Sequence, residues 1–393
     1  MNVYVTGTGI VSAIGMNADE NFRSLQTLKT GIDKVKLLPD SQEILGGQVK
    51  CSDEEFFKKF NIAKQPHSRT SLLGIAAATE AWGNNELRKD IRTGIISATS
   101  VGGMDKTELY YRQVLRNENA DYNLVVTHDS GNTTEKIAAH FGISGYINTI
   151  STACSSAANA IMLGARLIQQ NKLDRVIVGG TDALTDFTIK GFQSLMIFDT
   201  EWCKPFDENR NGLNLGEAAA FLVIESEESM CKSGSKAKCL VKGWHNAADA
   251  YHQTASSPEG KGATLAMKHA IEKAGIALSD ITYVNAHGTG TKNNDLSESV
   301  ALKNIFGDNV PAFSSTKAFT GHTLAAAGAI EAVFSIMAIE NSVLLPGLNY
   351  TTPIAETGLI PQTTFQKVDT VNAVLSNSFG FGGNNSSLIF KKL

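Results

Sequence analysis

Cysteine is scarce in this sequence of 393 residues. There are five, at Cys51, Cys154, Cys203, Cys231 and Cys239, odd in number and never paired as CxxC. That argues against a disulfide framework and a zinc knuckle. Charge is sparse too: 19% of residues are charged and the formal net charge is −4, so no nucleic acid is expected as a partner. Apolar runs fall short of the roughly 18 residues a membrane span needs, and no span is expected. The first segment, MNVYVTGTGIVSAIG, lacks a positive n-region, and its apolar run is broken by Gly7 and Gly9. It is expected to be a strand and turn, not a signal peptide. Its TGTG lacks the full GxGxxG with an acidic partner, so no nucleotide cofactor is implied. These absences point to a cytoplasmic protein without a metal site.

What is present is an ample apolar fraction, 42%, enough for two domains or for one domain of two similar halves. VYVTG, TGIISAT, YINTIST, DRVIVGG and AFLVIE read as strands, as do KCLVKGW, ITYVNAHG, VPAFSST, NAVLSNS and SSLIFKK further on. Between them SLLGIAAATEAWG, SAANAIMLGARLIQQN, GATLAMKHAIEKAG, NDLSESVALKNIF and LAAAGAIEAVFSIMAIEN read as helices. Such alternation predicts an α/β protein with mostly parallel sheets buried on both faces. The polar SEESMCKSGSKAK is the best seam, dividing the chain into 1–235 and 236–393. One pattern recurs about 160 residues apart: YINTISTACSSAANAIMLGARLI and PAFSSTKAFTGHTLAAAGAIEAVFSIM both run strand, turn, alanine-rich helix. That order predicts a structural duplication.

In ISTACSSAANA, Cys154 stands where a strand gives way to a small-residue helix. A buried cysteine is usually an inert small hydrophobe. At the first turn of a helix, unpaired N–H groups and the positive dipole end would instead favour thiolate. This stretch alone leaves both readings open. NAHGTGT puts His287 at a strand end, and KAFTGHTLAAAGAIE puts Lys317 and His322 before the second alanine-rich helix. With a duplication, that turn is the counterpart of Cys154. His67, His128, His140, His245 and His269 sit in contexts that suggest only structural roles. NSFGFGGNN surrounds Phe379 and Phe381 with glycine. It reads as a packed β-turn, or as a loop that gates an apolar tunnel and offers an N–H to an oxyanion.

Taken in order, TACSS, KPFDENRNGLNLGEA, DAYHQTA, NAHGTGT, KAFTGHTLAAAGAIE and NSFGFGGNN resemble the elongating β-ketoacyl-[acyl carrier protein] synthases of the thiolase superfamily. The likeness covers essentially the whole chain. It implies a thiolase-like α/β fold, two pseudo-duplicated halves in a five-layer α-β-α-β-α sandwich. The first half would carry the nucleophile and the second the two catalytic histidines. By this resemblance Cys154 accepts an acyl chain as a thioester, and His287 and His322 bind a malonyl thioester and assist its decarboxylation. Lys317 and Glu331 would belong to the same site. Phe381 would gate it, its N–H joining that of Cys154 in an oxyanion hole. On the substrate side the resemblance implies Thr289, Thr291 and Thr254 along a phosphopantetheine entrance, with Phe379 beside the gate. Val101 would close the acyl tunnel, and Asp295 and Glu298 would organise the lysine side.

The implied reaction is a decarboxylative Claisen condensation with malonyl-carrier protein, in fatty-acid or related polyene, aryl-polyene or polyketide-type synthesis. An acyl carrier protein is the implied partner, with malonyl and acyl thioesters. The enzyme has no cofactor of its own on this reading, because the phosphopantetheine arm arrives on the carrier. A homodimer is implied, a heterodimer being the other possibility. Carrier proteins are acidic, so a basic patch is expected at the entrance, with Lys64 and Arg69 as candidates. The chain departs from the family pattern in reading GEAAA at Gly216–Ala220, Gly145-Tyr146 before the nucleophile strand, and a shorter loop between Gly191 and Lys204. The competing reading is a chain-length-factor-like subunit without catalysis, which the intact Cys154, His287, His322 and Lys317 set argues against. Thiolase-type cleavage is disfavoured by HGTGT and TGH together.

Overall fold

The computed structural model describes residues 1–37, 41–63 and 65–393. Ten strands form its main sheet: β1 (Tyr4–Val11), β2 (Thr93–Ala98), β3 (Ile147–Ile150), β4 (Arg175–Asp182), β5 (Ala218–Glu225), β6 (Cys239–Ala248), β7 (Ile281–Asn285), β8 (Ala312–Ser314), β9 (Ala373–Gly380) and β10 (Asn384–Lys391). Each falls on a run that the sequence marks as a strand. Their spatial order is 8-7-9-10-6-1-5-4-2-3. This is two arrays of one design, 1-5-4-2-3 and 6-10-9-7-8. The sense of pairing repeats as well. Pairs 4-2 and 2-3 are parallel, like 9-7 and 7-8. Pairs 1-5 and 5-4 are antiparallel, like 6-10 and 10-9. The arrays join edge to edge where Tyr4 and Val5 pair with Leu240 and Cys239.

The sheet is therefore mixed, which corrects the expectation of mostly parallel sheets. Antiparallel neighbours such as β9 and β10 need only a tight turn, whereas a parallel pair needs a crossover. Hydrophobic runs alone do not distinguish the two.

Eight helices matter for the site: α1 (Arg69–Trp82), α2 (Met104–Leu115), α3 (Ser130–Phe141), α4 (Ser156–Gln169), α5 (Asp186–Ser194), α6 (Lys261–Ala274), α7 (Lys292–Phe306) and α8 (Ala327–Asn341). One outer layer is α1 with α3, covering β1, β5 and β4. The other is α6 with α7 behind it, covering β6 and β10. Between the arrays lie α4 and α8. The result is the five-layer sandwich. Both outer helices sit very close to their strands, and glycine makes room for them. A Cβ at Gly9 of β1 would lie 2.1 Å from the Ala77 carbonyl of α1, and one at Gly243 of β6 would lie 2.2 Å from that of Ala270 in α6.

The central position of α8 explains its composition. Every residue from Ala327 to Ile339 is buried, so no polar face is required. The stretch Leu324–Asn341 is in fact long and apolar enough to cross a membrane, contrary to the expectation that no run reaches that length. Here 89% of it is buried inside the fold, against α4, β5 and β9.

Candidate active site

Cys154 sits on a strained elbow between β3 and α4. Ala153, just before it, has φ +54°, a left-handed conformation that costs a non-glycine residue about 1–3 kcal/mol. Ser156 braces the turn. Its hydroxyl accepts the Thr152 N–H at 2.7 Å and donates to the Ala153 carbonyl at 2.5 Å. The second half repeats this device: Leu324, with φ +53°, stands three residues before α8, as Ala153 stands three before α4. The duplication thus brings two helix-entry turns together at the centre of the molecule.

On the second turn is His322. Its backbone is clamped, its N–H donating to the Asn214 carbonyl at 2.7 Å and its carbonyl accepting the Gly216 N–H at 3.0 Å. His287 follows β7. The Cys154 thiol and one ring nitrogen from each histidine all lie within 4.8 Å of one another, and all three residues are buried. The two imidazoles stand nearly perpendicular, their centroids 5.4 Å apart.

The hydrogen bonds assign both tautomers. Nδ1 of His322 accepts the Leu324 N–H at 3.1 Å. Nδ1 of His287 faces the Lys317 Nζ at 3.2 Å, and an ammonium can only donate. Each imidazole therefore keeps its proton on Nε2. A protonated Nε2 has no lone pair for a metal, so this Cys-His-His cluster is not a ligand set as it stands. Lys317 is held in turn by the His287 carbonyl at 2.6 Å and by an ion pair with Glu331. The other oxygen of Glu331 accepts the Ser378 hydroxyl at 3.2 Å.

Burial, with Lys317 and His322 alongside, holds His287 well below its ordinary range; burial and Lys317 do the same to His322. Burial also pushes the Cys154 thiol up to about 11, against the pull of Lys317 and of the Phe381 N–H that donates to it. Burial raises Glu331 to about 7 while Lys317 opposes it. At neutral pH the site is thus a thiol beside two neutral imidazoles. The thiolate that a helix terminus would favour is opposed here by desolvation, the largest influence on the thiol.

Two cavities meet at the thiol. One, of about 420 Å³, is lined by Thr254, Thr289, Thr291, Lys292, both histidines and Phe379. The other, of about 410 Å³, is lined by Ser100, Val101, Phe187, Phe192, Leu195 and Leu324. Cys154, Phe192 and Phe381 line both. Phe381 and Phe192 therefore stand together between them, their rings stacked with centroids 5.7 Å apart.

Three sequence expectations change place. Asp295 and Glu298 line neither cavity; they grip the HGTGT turn from behind. Glu298 accepts the N–H groups of His287 and Gly288 at 2.9 and 2.8 Å. Asp295 accepts those of Phe206 and Gly290 at 2.8 and 3.1 Å. Arg69 is no basic surface residue, because Glu217 at 2.7 Å and Asp53 at 3.0 Å hold it in ion pairs. Lys64 lies outside the described residues. Sequence reasoning also missed Asn384, whose side-chain Oδ1 accepts from Ser155 at 2.6 Å, Asn159 at 3.0 Å and Asn246 at 2.6 Å. This ties the end of the gate loop to the nucleophile helix. Its only sequence signal was membership in NSFGFGGNN.

Known proteins match this architecture along the chain. Residues 1–229 match the β-ketoacyl synthase N-terminal domain and residues 238–351 the β-ketoacyl synthase C-terminal domain. The 3-oxoacyl-[acyl-carrier-protein] synthase 2 of Staphylococcus aureus (strain MRSA252) is 34% identical, over 100% of this chain and 98% of the relative. Among solved structures, a chain of the complex of the ketosynthase ApeO with its chain length factor ApeC, from Xenorhabdus doucetiae, superposes with a TM-score of 0.87 at 31% identity, covering 100% and 98% of the two chains. A chain of the complex AntDE:AntF, a type II PKS acyl-carrier protein with its ketosynthase, gives 0.89 at 25% identity, covering 100% and 99%.

Proposed function

The chain belongs to the β-ketoacyl synthase family, and from that premise we propose how its own residues run the reaction. It is a 3-oxoacyl-[acyl carrier protein] synthase, joining an acyl group to a malonyl unit with loss of CO₂. The observation that carries this reading is the thiol beside two Nε2–H imidazoles, at the meeting of two cavities.

In the first half-reaction Cys154 attacks an acyl thioester. The acyl group moves to Sγ, and the thiol proton leaves with the released carrier thiol. The tetrahedral oxyanion is stabilised by the N–H groups of Cys154 and Phe381, and the acyl chain enters the cavity of Val101 and Leu324. In the second, malonyl thioester occupies the other cavity. Its carboxylate carbon departs as CO₂, leaving an electron pair on the α-carbon and negative charge on the thioester oxygen. The two Nε2–H groups donate to that oxygen, where charge develops. Neutral imidazoles suit the task because a charged one would quench the carbanion by protonation. The carbanion attacks the acyl carbon, the C–S bond to Cys154 breaks, and the sulfur takes a proton from water. Dividing the work this way gives ping-pong kinetics.

The carrier protein is the proposed donor. Thr289, Thr291 and Thr254 supply hydroxyls to a pantetheine arm, and Lys292 at the same cavity offers positive charge to an acidic carrier. The phosphopantetheine arm comes with that carrier, and no cofactor of the enzyme's own is proposed. The division of labour falls at residue 235, with Cys154 on one side and His287 and His322 on the other. A homodimer is supported by the free edge of β3, where Tyr146 and Ile147 are exposed, and by the exposed apolar side chains of Tyr111, Leu115, Tyr122 and Phe187, the last of which lines the acyl cavity. A reducing cytoplasm suits the free cysteines.

The test supplies acyl-carrier protein and malonyl-carrier protein and follows the product by mass spectrometry. The proposal expects a 3-oxoacyl-carrier product that is lost in Cys154→Ala. Release of CO₂ without a longer chain would instead favour the non-elongating partner subunit.

A further inference from the structure

Asp182 ends β4 at the boundary between the two halves. It is wholly buried, and the ion pairs of the described residues give it no cationic partner. Its carboxylate is nevertheless fully used. From the loop after β2 it accepts the Thr99 hydroxyl at 2.5 Å, the Ser100 N–H and hydroxyl at 3.0 and 2.7 Å, and the Val101 N–H at 3.0 Å. From the other half of the molecule it accepts the Ala325 N–H at 2.8 Å.

These two groups of donors serve different parts of the site. Ser100 and Val101 form a wall of the acyl cavity. Ala325 directly follows Leu324, whose N–H fixes the tautomer of His322 and whose side chain lines the same cavity. Successive N–H groups of one turn thus reach His322 and Asp182. Leu324 is held there in a left-handed conformation, φ +53°, which persists only where its surroundings over-determine it.

We infer that Asp182 is a positioning residue that fastens the acyl-cavity wall to the turn orienting His322. The decarboxylating imidazole is thereby kept in register with the chain on Cys154. Three of the donors are backbone N–H groups, which demand an acceptor, so only a carboxylate satisfies the arrangement. An amide at this place would turn one NH₂ against them. Acyl transfer needs the thiol and the oxyanion donors but no decarboxylation, so it should be little affected by the loss. This inference rests on the condensation reading above.

The experiment compares wild type with Asp182→Asn and Thr99→Val. Intact-mass kinetics follow acylation of Cys154 by acyl-carrier protein; product formation follows condensation at varied malonyl-carrier protein. For Asp182→Asn the expected result is acylation within about threefold of wild type and KM for malonyl-carrier protein unchanged. Condensation kcat should fall about tenfold to a hundredfold, as a small misplacement at distance produces. Thr99→Val, which removes one donor to Asp182 and the acceptor of the Gly102 N–H, both on the cavity side, guards against a first variant that does not fold. It should give the same split on a smaller scale. Equal loss in both half-reactions, or no loss in either variant, overturns the inference. Absence of condensation in the wild type would instead remove the reading beneath it.

Discussion

The Leu324 N–H donates to Nδ1 of His322 at 3.1 Å, and this single bond decides which nitrogen of the imidazole faces the substrate with a proton. Lys317 does the same for His287 at 3.2 Å. Two donors of one kind, reached by different means, then point at one developing charge.

Removing either donor should therefore divide the reaction. His287→Ala and His322→Ala are expected to acylate Cys154 normally while condensation falls about 10²- to 10³-fold, the usual cost of losing one such donor. Stopped-flow acylation and steady-state product formation, measured on the same preparations, check this. Loss of acylation in either variant would show that the histidine instead activates the thiol.

The thiol itself should be slow to alkylate at neutral pH. An acid whose folded-state pKa is raised keeps its proton through neutrality, and burial pushes Cys154 up to about 11. The iodoacetamide rate at Cys154, read by peptide mapping, is expected to rise about tenfold for each pH unit from 7 to 9 without a plateau. A plateau near neutral pH would mean that the thiolate is the resting form.

Val101 is 7% exposed and lines the acyl cavity. Val101→Phe is expected to fill the distal cavity. It should lower kcat/KM for long acyl donors about tenfold or more while short donors stay within about twofold, since pocket volume discriminates by a few kcal/mol at most. Competition between donors of different length in one reaction gives the ratio directly.

The ion pair of Lys317 and Glu331 is almost wholly buried, with side-chain exposures of 4% and 2%. Breaking it by Lys317→Met leaves an uncompensated charge and should cost about 3–5 kcal/mol in urea denaturation. Adding Glu331→Leu should restore most of that stability without restoring condensation. Recovery of activity in the double variant would deny the pair any part in holding His287.

Much of this molecule was legible before any coordinates, because its signals are local. All ten strands of the main sheet fall on runs that read as strands, and the five alanine-rich or amphipathic helices read from sequence are all present. The duplication showed in one repeated order of strand, turn and helix, and the motifs named the family. What stayed hidden depends on distance in space. The antiparallel sense of β5 and β10 is a matter of which strands meet. Arg69 looked like surface charge because its partner Glu217 lies 148 residues away. The thiolate reading of Cys154 weighed a helix terminus but had no measure of desolvation. Asp182, in GGTDA, carries no local sign of its five donor groups, which come from two distant turns.

The central claim is that Cys154 is acylated as a covalent intermediate. Intact-mass spectrometry of wild type and Cys154→Ala after exposure to acyl-carrier proteins of several chain types tests it most directly. The account predicts an added acyl mass on the wild type, located at Cys154, discharged by malonyl-carrier protein and absent from the variant. An adduct that persists in Cys154→Ala, or none from any donor, would contradict it.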